Sequence, residues 1–158
     1  MLIAVWLLVA VAAVLVAAHL NVFSGRPPDN LGVRDGKLKP PSKTPNSVSS
    51  QAALWPDHPQ RDAAAIAPLA LKGDGPATIA RLAQLVEAMD GARIALRRPD
   101  YLYVQFTTRL MRFVDDAEFW FDPAAGVVQV RSAARVGRRD FDVNRARIEA
   151  IRARLAGA

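Results

Sequence analysis

From Leu2 to Ala18 the chain carries no polar side chain. No other feature restricts the fold as much, because a run this apolar has to leave water. At about 1.5 Å per residue, a helix from Leu2 to Phe23 covers roughly the 30 Å hydrocarbon layer of a bilayer. A cleaved signal peptide is the rival reading. It would carry a basic stretch first, yet no Lys or Arg precedes Arg26, and Val16-Ala17-Ala18 matches a cleavage site only loosely. Residues 1–23 are therefore expected to be a transmembrane anchor that stays on the chain. No later segment is long and apolar enough to span.

Residues 24–62 read as a linker. They hold SGRPPDN, KLKPPSKTPNS and WPDHPQRD, and proline lacks the N–H that helices and inner strands need. Residues 63–158 read as the folded domain, long enough for one core. Ala64–Leu71 is a first strand that Pro68 confines to an edge. Gly73-Asp74-Gly75-Pro76 is a turn with proline at the start of a helix, whose stripe is Ile79, Leu82, Val86 and Met89. Period-two alternation then marks strands around Ile94–Leu96, Leu102–Phe106 and Phe119–Phe121. A hairpin loop at 123–126 leads to Val127–Ser132.

After Gly137 the period changes again. Phe141, Asn144, Ile148, Ile151 and Leu155 share a helical face, with Asp140 and Asp142 at its start, where carboxylates meet unpaired N–H groups. The order predicts an α+β fold: an antiparallel sheet of four to five strands with two helices packed on one face. Ile94, Leu96, Leu102, Val104, Phe106, Phe119, Phe121, Val128 and Val130 would face the helices. Tyr101, Tyr103, Gln105, Thr107, Glu118, Trp120, Gln129 and Arg131 would line the other face, as a wet surface or beneath the linker.

RSAARVGRRDFDVNRARIEAIR, from Arg131, resembles the closing motif of the domain of unknown function 1499 family, roughly R-S-A-S-R-V-G-x-x-D-x-x-V-N-R-x-R-x-E. PSKTPNSVSSQA at 41–52 and TRLMRFVDDAEFWFD at 108–122 agree with it in order. The family implies no established activity. Many members carry a cysteine on each side of the S-P-N motif, which suits an oxidising compartment. This chain has Pro41 and Ser47 there and no cysteine at all. Arg26, Arg34, Lys37, Lys39 and Lys43 follow the apolar run and by the positive-inside bias would keep the domain cytoplasmic. On the resemblance, the expectation is instead a single-pass protein of the bacterial inner membrane with a periplasmic domain.

The chemistry-bearing residues gather in the three family-like segments: Asn46, Ser49 and Ser50; Arg109, Arg112, Asp115, Asp116 and Glu118; Arg131, Ser132, Arg135, Asp140, Asn144 and Arg145. They are expected to meet at one end of the sheet as a polar cluster. Paired carboxylates can divide acid and base roles. However, Asp115 and Asp116 point to opposite faces of a strand, and the nearby arginines offer ion-pair partners. No serine sits in a G-x-S-x-G elbow, and no P-loop is present. Two histidines make no usual zinc set without carboxylate help. No catalytic residue, metal or cofactor is assigned.

From Arg131 to the C-terminus eight arginines face three carboxylates, which leaves five of the six net positive charges there. With a tether in the same chain, anionic lipid or an anionic envelope polymer suits that face better than nucleic acid. The expected function is a membrane-anchored envelope domain that binds or scaffolds without catalysis. The alternative is a small hydrolase-like enzyme using Asp115, Asp116 or His58.

Overall fold

The apolar run forms helix α1, Leu2–His19. The structure, a computed structural model, describes residues 2–157. By length and composition α1 can cross a membrane, and Trp6, Leu7, Leu8 and their neighbours on every side are exposed. A helix that is apolar all round and packs into no core is compatible with a membrane anchor or a signal sequence.

The body is a six-stranded antiparallel sheet with helices on one face. Its strands are β1 Ser47–Ser49, β2 Leu69–Ala70, β3 Ala92–Arg97, β4 Tyr101–Thr107, β5 Val114–Asp122 and β6 Val127–Ala134. The order is β1-β6-β5-β4-β3, and β2 also pairs with β6, farther along its free edge. Helix α2 is the short turn Arg61–Ala64, α3 spans Gly75–Glu87 and α4 spans Val143–Gly157. Leu82 and Val86 of α3 and Ile148 and Ile151 of α4 enter one core with Leu102, Val104, Phe119, Val128 and Val130. The α+β architecture is the one the period changes predict, with the short strand β1 added and the expected first strand reduced to β2 at the β6 edge.

Local chemistry explains the element ends. Asp74 caps α3, its Oδ1 accepting from the Ala77 N–H at 2.7 Å, and Pro76 follows in the first turn. Gly75 is needed there because a Cβ would lie 2.2 Å from the Phe121 ring. Pro68 supplies no N–H, so the expected strand from Ala64 shrinks to Leu69–Ala70.

Three expectations need correction. Leu96 does not share the core face with Ile94. Ile94 pairs with Val104, but a bulge then sets Leu96 opposite Tyr103, and Leu96 is 38% exposed. One extra residue in one strand reverses every side chain after it. Phe141 is not on the α4 stripe either: it is 85% exposed, and both Phe141 and Asp142 have left-handed φ, 52° and 62°. Of the two carboxylates it is that of Asp140 that closes the turn, its Oδ2 accepting from the Asn144 N–H at 3.1 Å, while the Asp140 carbonyl accepts from the Val143 N–H at 3.1 Å.

The third concerns residues 24–62. They are extended and irregular as the prolines dictate, yet they are part of the packed body. Leu38, Val48 and Ala52 are buried, and Ser47–Ser49 is a strand of the sheet. The segment lies over the polar face. The Gly32 N–H donates to Glu118 Oε1 at 2.7 Å, and the Arg131 Nε donates to the Pro40 carbonyl at 3.1 Å. Gln51 fixes the strand of chain above it, accepting from the Leu38 N–H at 2.8 Å and donating to the Gly36 carbonyl at 3.0 Å.

Candidate functional site

Strand alternation divides the polar residues of β5 and β6 between the two faces of the sheet. Asp116, Glu118, Arg131 and Arg135 lie under the 24–62 segment, whereas Asp115 and Ser132 point towards α4. The first group forms a nearly dry layer. Arg135 grips Asp116 through two bonds, Nε to Oδ2 at 2.8 Å and an Nη2 to Oδ1 at 2.7 Å. The Tyr103 hydroxyl donates to the same carboxylate at 2.6 Å. One step along, the Tyr101 hydroxyl donates to Glu118 Oε1 at 2.7 Å, and an Arg131 Nη1 lies 3.9 Å from Glu118 Oε2. That Oε2 is buried and accepts no hydrogen bond.

Removal from water sets the acidities in this layer. Burial pushes the Glu118 carboxyl up, against the pull of Gly32, Tyr101 and Arg131. Burial also drives the Tyr101 phenol far up, with the Glu118 charge adding to it. Arg131 is pulled down by burial despite Glu118. Arg135 is raised, chiefly by its hydrogen bond to Asp116.

The second group gathers where β6 ends and α4 begins. The Ser132 hydroxyl donates to Asn144 Oδ1, and Asn144 is fully buried. Asn144 Nδ2 donates to Asp140 Oδ2 at 2.8 Å and to the Asn46 carbonyl at 3.4 Å. Asn46 closes the ring, its Nδ2 donating to the Gly137 carbonyl at 2.9 Å while its Oδ1 stays buried without a donor. Arg147, one turn after Asn144, donates to Asn144 Oδ1 at 2.8 Å and to Asp115 Oδ2 at 2.6 Å, and lies over the Phe106 ring. Burial pushes the Asp115 carboxyl pKa up, with Arg147 opposing.

The structure thus brings residues of all three segments together, in two layers rather than one cluster. Ser50 fastens β1, its hydroxyl donating to Gln129 Oε1 at 2.7 Å and accepting from the Val130 N–H at 2.8 Å. Ser49 accepts locally from the Gln51 N–H. Arg145 reaches the carbonyls of Ala65 and Ala63, at 2.9 and 2.8 Å, at the end of α2. Arg109 and Arg112 stand apart, exposed in the 108–113 turn. The His58 ring accepts from the Gln60 N–H through its Nδ1.

Sequence reasoning passed over Arg147, and it placed Tyr101 and Tyr103 on the face of Glu118 and Arg131 without assigning them to the carboxylates. Arg147 is three residues after Asn144 and four before Ile151, so it had to share their face. Tyr103 pairs directly with Glu118 across β4 and β5, which the alternation implies once the register is known. The charged stretch from Arg131 onward is also not one basic face. Five of its eight arginines (Arg131, Arg135, Arg145, Arg147 and Arg152) are bound to carboxylates or carbonyls.

A cleft of about 500 Å³ opens between residues 45–48 and 139–145, with Pro45, Ser47, Arg139, Asp140, Phe141 and Arg145 among its walls. Its two sides come from the first and last family-like segments. Among the described residues no three His, Asp or Glu side chains converge as a metal set.

Comparison with curated proteins and with solved structures returns no match. A family model described as "Protein of unknown function (DUF1499)" matches residues 37–155. That range takes in both polar layers, the sheet and all but the last residues of α4, and the chain belongs to the DUF1499 family.

Proposed function

We propose that this is a single-pass protein of the bacterial inner membrane, held by α1, whose body lies on the periplasmic side and serves as a non-catalytic binding or scaffolding domain. One observation carries the reading: the carboxylates a hydrolase would need are already spent on structure. Asp115 is closed by Arg147, Asp116 by Arg135 and Tyr103, and Glu118 by Tyr101 and the Gly32 N–H. None of the three is among the walls of the cleft at 45–48 and 139–145, of that beside Arg109 and Arg112, or of that beside Tyr101 and Tyr103. A general acid or base has to reach the proton it moves. The cleft at 45–48 and 139–145 is the better surface for a partner, with exposed Phe141 on a rigid turn beside Arg139. An anionic envelope polymer is the partner class this favours.

Alkaline extraction of membranes should leave the full chain in the pellet, and protease acting from the periplasmic side should reach the body. Detergent-solubilised full chain should sediment with isolated peptidoglycan sacculi, and Phe141→Ala should weaken this without changing the melting temperature. Absence of sedimentation would remove the polymer reading. Turnover of an ester or phosphoester panel, lost in Asp116→Asn with melting unchanged, would overturn the non-catalytic reading.

A further inference from the structure

The turn between β4 and β5 has no role in the polar layers, although it belongs to the second family-like segment. It runs from Thr108 to Phe113, tied by the Phe113 N–H to Thr108 Oγ1 at 2.9 Å and by the Thr108 N–H to the Phe113 carbonyl at 2.9 Å. Arg112 holds a left-handed φ of 59°, which tightens the turn. Its tip carries Leu110, 67% exposed, and Phe113, with Arg109 and Arg112 beside them. A turn in water gains nothing by presenting Leu and Phe.

The turn lies against the exit of α1. The Phe23 and Phe113 rings are 5.9 Å apart, and Arg112 Nε reaches Asn21 Oδ1 at 3.4 Å. Leu20 and Val22, just past the end of α1, are exposed as well. Arg109 makes no hydrogen bond or ion pair among the described residues, and with Arg112 it borders an open cleft of about 660 Å³. Exposed apolar side chains, flanking guanidiniums and contact with the residues just past the end of an anchor are the attributes of a surface that sits at the level of lipid headgroups.

We propose that the 108–113 turn is a second membrane contact. Leu110 and Phe113 enter the boundary of the bilayer that holds α1, and Arg109 and Arg112 bind the phosphates of anionic phospholipid headgroups. The inference rests on α1 being the anchor. The body is then fixed on the bilayer by two points, with the 123–126 loop at the far end of β5, roughly 25 Å away at about 3.3 Å per residue.

The chain has no cysteine, so a single introduced one takes a label uniquely. Full-length Leu110→Cys, Ala125→Cys and Leu8→Cys proteins, each carrying an environment-sensitive fluorophore, are placed in nanodiscs with or without phosphatidylglycerol. The expected result is blue-shifted emission, quenched by lipid-borne quencher, at positions 8 and 110 but not at 125. The preference of the 110 probe for the buried state should fall about five-fold for each of Arg109→Gln and Arg112→Gln, and in discs without anionic lipid these substitutions should have no effect. Burial at 8 with an aqueous signal at 110 overturns the second contact and leaves the anchor standing. Aqueous signals at both positions overturn both readings. Burial at 110 that ignores lipid charge overturns the role of the two arginines.

Discussion

Replacing Asp116 or Arg135 tests whether the polar layer fastens the fold. Their side chains are 2% and 5% exposed, and they share two hydrogen bonds with a third from Tyr103. Removing one member of a buried pair costs about 3–5 kcal/mol, because the other charge stays out of water without its partner. The low end applies to Asp116→Asn, whose amide oxygen still accepts from Tyr103 or Arg135. Arg135→Gln belongs higher, since Asp116 keeps only the tyrosine. At about 4 °C per kcal/mol for a body of this size, each variant should melt roughly 12 °C or more below the parent. The double variant should cost well under the sum, with a coupling of about 2 kcal/mol, since removing both charges leaves neither stranded. Urea or thermal unfolding of the four proteins in detergent, followed by circular dichroism, measures this. Additive losses within about 0.5 kcal/mol, or a parental melting temperature in either single variant, would refute the fastening.

Asn144→Leu suits the apolar stripe of α4 but leaves the Ser132 hydroxyl without its acceptor and takes one partner each from Arg147, Asp140 and the Asn46 carbonyl, so it should destabilise by about 1–3 kcal/mol in urea unfolding. Gly91→Ala should cost about 2–3 kcal/mol, because Gly91 has φ of +70° and a Cβ would lie 2.2 Å from the Thr107 carbonyl oxygen. The raised pKa values of Asp115 and Glu118 give a pH dependence of defined sign. With the folded values above the unfolded ones, the folded protein binds more protons in the window upward from about pH 4, so these two groups make stability fall as pH rises through it. Melting temperatures between pH 4 and 7 should show this slope, and Glu118→Gln should flatten it; an unchanged slope would dissociate Glu118 from it.

The sheet and its two helices were legible because side-chain period is a local property. Val128, Val130 and Ser132 declare a strand and Ile148, Ile151 and Leu155 a helix without reference to anything distant. The bulge before Leu96 was not legible. It depends on how β3 meets β4, and nothing in Arg93-Ile94-Ala95-Leu96 marks the extra residue. The burial of residues 24–62 was legible only as one of two alternatives, a wet sheet face or a face beneath the linker. Prolines forbid regular hydrogen bonding, which looks the same in a free tether and in a strap held by Glu118 and Arg131. The polar layers fall between these cases. Glu118 opposite Arg131 follows from a four-residue hairpin loop and was expected. The choice of Arg147 for Asp115, and of Asn46 for Gly137, required the ends of three separate elements to be placed in space.

The strap also decides how far the body can travel. A free chain of thirty-nine residues would have an end-to-end distance of about 35 Å and let its cargo sample a wide volume. Here that length is used up against the sheet, from Gly25 packed on Arg135 and Val136, through Gly32 on Glu118, to Asn46 on Gly137. Almost no slack remains between the end of α1 and the sheet. Whatever this protein meets must come to it, because the body has no reach of its own.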